Sequence, residues 1–107
     1  MKIIVDVNIV LSALIRDSST RKLILETRQE LYFPEPSLHK LRKYQNYVID
    51  KAGLNEKDYT HLLATLFKYI KVITTEEIKE NWNKAKEILG HIDQEDVVFI
   101  AAALSLD

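Results

Sequence analysis

Three short runs rich in aliphatic and aromatic residues, separated by helical patterns, constrain the fold more than any other feature of the sequence. The runs cover residues 3–5, 31–33 and 69–73, and each is followed directly by a polar residue or a proline. Residues 3–5 are β-branched throughout, which is typical of a parallel strand buried on both faces. Strands that alternate with helices pack in layers around a parallel sheet. We therefore predict an α/β fold.

The segments between these runs carry helical periodicity and residues that commonly begin or end helices. A side-chain oxygen at a helix start accepts a hydrogen bond from a backbone amide of the first turn, whereas glycine favours a helix end. The predicted starts, in chain order, are Asn8, one of residues 17–20, Ser37, Asn55, Thr74 or Thr75, and Asp93. Gly53 is predicted to end one long helix that begins at Ser37, and Gly90 another that begins after Thr75.

Length and composition describe one folded domain over residues 1–107. Hydrophobic residues make up 47% of the chain and charged residues 29%, as in folded rather than disordered proteins. The net charge of −1 provides no general attraction for nucleic acid, although a local basic patch can still bind it. The absence of cysteine excludes disulfides and thiolate metal sites, which fits a cytoplasmic protein, and no apolar stretch reaches membrane-spanning length.

Three aspartates are the candidate metal ligands. Asp6 follows the first predicted strand, and ligands of open parallel sheets bind beyond the carboxyl ends of the strands. Asp93 and Asp96 lie three residues apart, on one face of the last predicted helix. Together these carboxylates can hold a hard divalent cation. Helix capping is the more ordinary role for each of them, but a cap uses one oxygen and leaves the other for a ligand.

A cluster of basic and aromatic residues is a second candidate site. Lys40, Arg42 and Lys43 lie close to Tyr44 and Tyr47 in the long predicted helix and can contact phosphates. A solvated helix face is the simpler interpretation. We favour it unless this face borders the acidic site.

Two segments, one near each end of the chain, resemble motifs of the PIN domain family. Residues 3–14, IIVDVNIVLSAL, resemble the opening strand that delivers an Asp, followed two residues later by Asn, Ser or Thr. Residues 93–103, DQEDVVFIAAA, resemble the later helix that opens with acids and continues with small apolar residues. The order of strands and helices between them also matches, so the resemblance spans the whole chain.

The resemblance implies a three-layer α/β/α fold with a short central parallel sheet and a metal-dependent ribonuclease activity. By this resemblance Asp6 and Asp96 are catalytic ligands of Mg²⁺ or Mn²⁺, Asp93 is an additional ligand, and Asn8 supports Asp6. Many members of the family are toxins of toxin–antitoxin pairs and form dimers. The implied partners are thus an RNA substrate, an antitoxin protein and further copies of the chain, in a homodimer or higher oligomer.

The sequence departs from the family pattern at two places. Lys40 stands where the family has its second acid, a glutamate, and the chain ends at Asp107, before the family's C-terminal strand and its acid. We therefore expect the C-terminal strand to be missing and nuclease activity to be weakened or lost. The alternative is a non-catalytic PIN-like module that binds protein or RNA. A response-regulator-like domain is disfavoured, because Thr74 and Thr75 follow the third strand in place of a phospho-acceptor aspartate.

Overall fold

Three parallel strands in the order β1-β2-β3 form the centre of the fold in the computed structural model, which describes residues 1–15, 18–89 and 94–106. The strands are β1 (Lys2–Ile4), β2 (Glu30–Pro34) and β3 (Ile70–Ile73). In the register, Ile3 lies beside Leu31 and Phe33 beside Val72. Since all three strands are parallel, their carboxyl ends meet along one side of the sheet, which we call the carboxyl edge.

Eight described helices surround the sheet. They are α1 (Val7–Leu14), α2 (Ser19–Glu26), α3 (Leu38–Lys43), α4 (Gln45–Ala52), α5 (Glu56–Leu66), α6 (Thr75–Lys79), α7 (Trp82–Leu89) and α8 (Gln94–Ser105), with a short 3-10 helix at Glu35–Ser37 before α3. None of these helices is both long enough and apolar enough to cross a membrane.

The helices form two layers, one on each face of the sheet. Residues of α1 to α5 share a buried cluster with Leu31 and Phe33 of β2. The neighbouring Tyr32 packs instead against a second cluster, contributed by α6, α7 and α8. This alternation is expected, because successive side chains of a strand point to opposite faces. The predicted three-layer α/β/α fold with a short parallel sheet is therefore confirmed.

The edge position of β1 corrects one expectation. Residues 3–5 were predicted to be buried on both faces, yet Lys2 is exposed and Ile3 keeps 36% of its surface accessible. Within the described residues β1 has a strand neighbour on one side only, namely β2. The central strand is β2, in which Leu31, Phe33 and Pro34 are all buried.

Several predicted helix ends are confirmed, and three helices differ from the prediction. Asn55 and Thr74 cap α5 and α6 as predicted, whereas α1 is capped by Asp6 rather than Asn8. The long helix predicted from residue 37 to 53 is divided at Tyr44, although it does end at Gly53, whose φ of 68° favours glycine. The helix predicted after β3 is divided into α6 and α7.

Candidate functional site

Asp6 begins the site at the carboxyl edge. It follows β1 in an extended conformation, and its Oδ1 accepts a hydrogen bond of 3.0 Å from the backbone amide of Ile9, in the first turn of α1. This is the capping role that the sequence also allowed for Asp6. The hydrogen bond uses one carboxylate oxygen, so Oδ2 can still serve as a ligand.

The direction of α8 decides where Asp96 lies. At the far end of this helix the backbone oxygen of Leu106 accepts a hydrogen bond of 3.4 Å from Lys2 Nζ, at the amino end of β1. A cavity of about 670 Å³ between the same two elements is lined by Ile4 and Ile100 as well as by Lys2 and Leu106. The helix therefore runs antiparallel to β1, with its first turn directed towards the carboxyl edge.

The lengths of the two elements agree with this arrangement. Ten helical residues from Asp96 to Leu106 rise about 15 Å, and four extended residues from Lys2 to Asp6 rise about 13 Å. Asp96, the third residue of α8 and exposed, is thus carried to about the level of Asp6. The first turn of α8 and the end of β1 are therefore directed to the same edge of the sheet.

The other predicted site residues are placed as follows. Asn8 is the second residue of α1 and is exposed, and Lys40 is the third residue of α3 and is half-buried. Asp93 lies outside the described residues. Within the part of the chain that the structure describes, no three carboxylate, histidine or cysteine side chains are grouped closely enough to hold a metal ion.

Glu35 is a residue of this edge that the sequence analysis did not select. It directly follows β2, and its Oε1 accepts a hydrogen bond of 2.7 Å from the backbone amide of Thr75, the first residue of α6. The Thr75 backbone amide, and then its side-chain hydroxyl, hold the pKa of Glu35 below its usual value. The sequence feature that could have identified Glu35 is its position, because it is an acid that follows the second strand, as Asp6 follows the first.

The basic and aromatic residues of α3 and α4 also lie near this edge. The 3-10 helix and then α3 follow β2 without an intervening loop, and both α3 and α4 contact α1. Lys43 Nζ lies 5.6 Å from the centre of the Tyr44 ring. The contacts with α1 do not place this face beside Asp6, so its interpretation as a solvated helix face stays a prediction.

The donors at the carboxyl edge fit a hard cation. Asp6 and Asp96 supply carboxylate oxygens, which Mg²⁺ and Mn²⁺ prefer over nitrogen or sulfur ligands. Two protein carboxylates, with water completing the shell, are a common arrangement for Mg²⁺. Lys40, on the helix that follows β2, has a positive side chain and is not a ligand for a cation.

Comparison with known families agrees with the fold and with these motifs. The profile of the PIN domain family matches residues 4–107, which is nearly the whole chain. Comparisons with curated proteins and with solved structures gave no match. Members of the matched family are generally nucleases that depend on divalent metal ions. By its sequence match and its three-layer architecture, this chain belongs to the PIN domain family.

Proposed function

We propose that this protein is a metal-dependent ribonuclease whose cation is held by Asp6 and Asp96. The single observation that carries this proposal is the antiparallel course of α8 along β1, which brings the turn containing Asp96 towards the strand end that carries Asp6. Asp93 is proposed as an additional ligand and Asn8 as a polar support for Asp6. The ion is Mg²⁺ or Mn²⁺, and residues 1–107 act as one domain.

The bound cation supplies a water nucleophile and stabilises negative charge on the phosphodiester. The charged residues of the chain have separate roles in holding this cation. Asp6 and Asp96 hold the ion, and the hydrogen bond from the Ile9 amide fixes the orientation of Asp6. Lys40 stands where the family has a glutamate, so the affinity for the ion and the activity are lower than a carboxylate at this position would give.

A calorimetric titration with Mn²⁺ tests the metal site. We expect saturable binding that is lost in Asp6→Asn and in Asp96→Asn. Asp50→Asn is the matched control, because Asp50 is an exposed acid on α4, outside the proposed ligand set. Lys40→Glu should bind Mn²⁺ more tightly, since it exchanges a repelling charge for a carboxylate. Absence of saturable binding, or binding that is unchanged in Asp6→Asn, would remove the site.

Cleavage of a fluorogenic single-stranded RNA then tests the activity. We expect slow cleavage in Mn²⁺, none in EDTA, and faster cleavage by Lys40→Glu. A role as the toxin of a toxin–antitoxin pair, acting as a homodimer or higher oligomer, is part of the proposal and is supported only by the many family members that are such toxins. Light scattering on the purified protein measures the oligomeric state.

The second candidate is a non-catalytic PIN-like module that binds RNA or protein. Lys40 at the position of a family acid favours it, because this substitution lowers metal affinity without disturbing the fold. It predicts no Mn²⁺-dependent cleavage by the wild-type chain, together with retained binding of a partner.

A further inference from the structure

One surface on the α1-to-α5 side of the sheet combines basic residues with exposed aromatic rings. No acidic residue occurs in residues 36–49, and the last turn of α3 carries Lys40, Arg42 and Lys43. This is a local positive charge in a protein of net charge −1. We define the tyrosine surface as Arg42, Lys43, Tyr44 and Tyr47, all of which are exposed.

The two tyrosines form the apolar part of this surface. Tyr44 and Tyr47 are 39% and 59% exposed. Tyr44 is the residue that joins α3 to α4, and its carbonyl accepts the backbone hydrogen bond of Val48, so the turn from Tyr44 to Val48 is helical. Residues three apart on a helix are neighbours, and the two rings therefore lie on adjacent parts of one face.

Helix stabilisation does not account for the composition of this surface. Cations in the last turn of α3 interact favourably with its carboxyl end, which explains Arg42 and Lys43 in part. It does not explain two large rings left in water, since α4 buries Val48 and Ala52 instead. The tyrosines therefore call for another explanation.

Base stacking combined with phosphate contact provides one. Single-stranded nucleic acid binds where aromatic rings stack on bases and nearby cations meet the phosphates. Lys43 Nζ lies 5.6 Å from the Tyr44 ring, so one nucleotide can meet a cation and a ring together. We propose that the tyrosine surface binds single-stranded RNA. A duplex fits it less well, because the faces of paired bases are covered by their neighbours.

The position of the surface relates it to the carboxyl edge. Between Pro34 and Tyr44 the chain forms only the 3-10 helix and α3, whose combined rise is about 15 Å. A single strand that stacks on Tyr44 and Tyr47 thus lies within a few nucleotides of Asp6. This inference rests on the proposed function only for the choice of RNA as the ligand, because binding itself requires neither metal nor cleavage.

Fluorescence anisotropy with a fluorescein-labelled single-stranded uridine oligomer, in EDTA, tests the proposal on the full chain. We expect Tyr44→Leu and Tyr47→Leu each to weaken binding at least about five-fold, and the double variant about thirty-fold. Tyr47→Phe should bind as the wild type does, because stacking needs the ring and not the hydroxyl. Tyr69→Leu is the matched control, since Tyr69 is 50% exposed but precedes β3 at the opposite edge of the sheet.

The salt dependence tests the cations separately. Each phosphate contact to a single strand contributes about 0.7 to the slope of log K against log salt. Lys43→Gln should reduce the slope by about this amount, and Lys57→Gln on α5 should leave it unchanged.

Three outcomes would overturn the proposal. They are wild-type affinity in the double tyrosine variant, equal affinity for a duplex of the same length, and loss of affinity on Lys43→Gln while both tyrosine variants still bind. The last pattern marks a site for any polyanion, such as an acidic protein segment. Circular dichroism confirms that each variant is folded. Tyrosine-dependent binding without Mn²⁺-dependent cleavage would refute the proposed nuclease alone, and cleavage without tyrosine-dependent binding would refute this inference alone.

Discussion

Asp6 carries two proposed roles, a helix cap and a metal ligand, and two substitutions separate them. Asp6→Ala removes the acceptor of the 3.0 Å hydrogen bond from Ile9, whereas Asp6→Asn keeps an acceptor of similar capping strength and removes the charge. The first substitution should therefore lower stability with or without metal. The second should leave the metal-free protein nearly unchanged and abolish its response to metal.

The magnitudes follow from the size of the chain and the geometry of the cap. Loss of an N-cap acceptor costs about 1 kcal/mol, which for a domain of this length lowers Tm by about 4 °C. In Asp6→Asn the lost attraction to the amino end of α1 is about 0.5 kcal/mol. Mn²⁺ at a hundred times its Kd should stabilise the wild type by about 2.7 kcal/mol, or about 12 °C.

Thermal unfolding in EDTA and in Mn²⁺, followed by circular dichroism, measures all three proteins. We expect the wild type to respond to Mn²⁺, and neither variant to respond. In EDTA, Asp6→Ala should unfold below the other two. An equal loss of Tm in both variants in EDTA would contradict the capping argument. An undiminished Mn²⁺ shift in Asp6→Asn would refute the ligand role of Asp6.

Two further predictions concern Tyr59 and Glu35. Tyr59 is 2% exposed, and its hydroxyl has no hydrogen-bond partner within the described residues. Tyr59→Phe should therefore raise the free energy of unfolding, measured in urea, by about 1 kcal/mol. A decrease in that free energy of the same size would show that the hydroxyl does have a partner. Burial also raises the pKa of Tyr59, because it disfavours the charged phenolate. The free energy of unfolding should therefore be insensitive to this group below a pH of about 10 and should fall as pH rises through the folded pKa, and this fall should be absent from Tyr59→Phe. Hydrogen bonds from Thr75 lower the pKa of Glu35, so its contribution is present above a pH of about 4.3 and is lost as pH falls through the folded pKa. Glu35→Gln should therefore show a weaker dependence of unfolding free energy on acid pH, and an unchanged pH profile would mean that the Glu35–Thr75 bond does not form.

Local interactions explain which parts of the fold were predictable. Ser18, Asn55 and Thr74 each accept a hydrogen bond from an amide three residues ahead, so the start of each helix is encoded within a single turn. The division of the long helix at Tyr44 has no such signal, because neither glycine nor proline occurs in residues 37–52. Both α3 and α4 contact α1. The position of the break therefore depends on how these two helices pack against α1, and not on a local residue signal.

The candidate site shows the same difference between local and long-range information. The sequence could predict Asp6 and Asp96 as candidate ligands, because a strand followed by an acid and a helix that begins with acids are patterns of a few residues. It did not select Glu35, whose hydrogen-bond partner Thr75 lies forty residues later in the chain. That contact exists only because β2 and β3 are neighbours and end at the same edge.

The sequence by itself determined the α/β class, the three strand segments, several helix starts and the resemblance to PIN domains, because each depends on side-chain chemistry over a few consecutive residues. Only the tertiary structure decided that β2 is central, that β1 has β2 as its one described neighbour, and that α8 runs back along β1. These features depend on which apolar faces bury one another across the whole chain. No local segment encodes this pairing of apolar faces. The pairing nevertheless brings the end of β1 and the start of α8 to one edge.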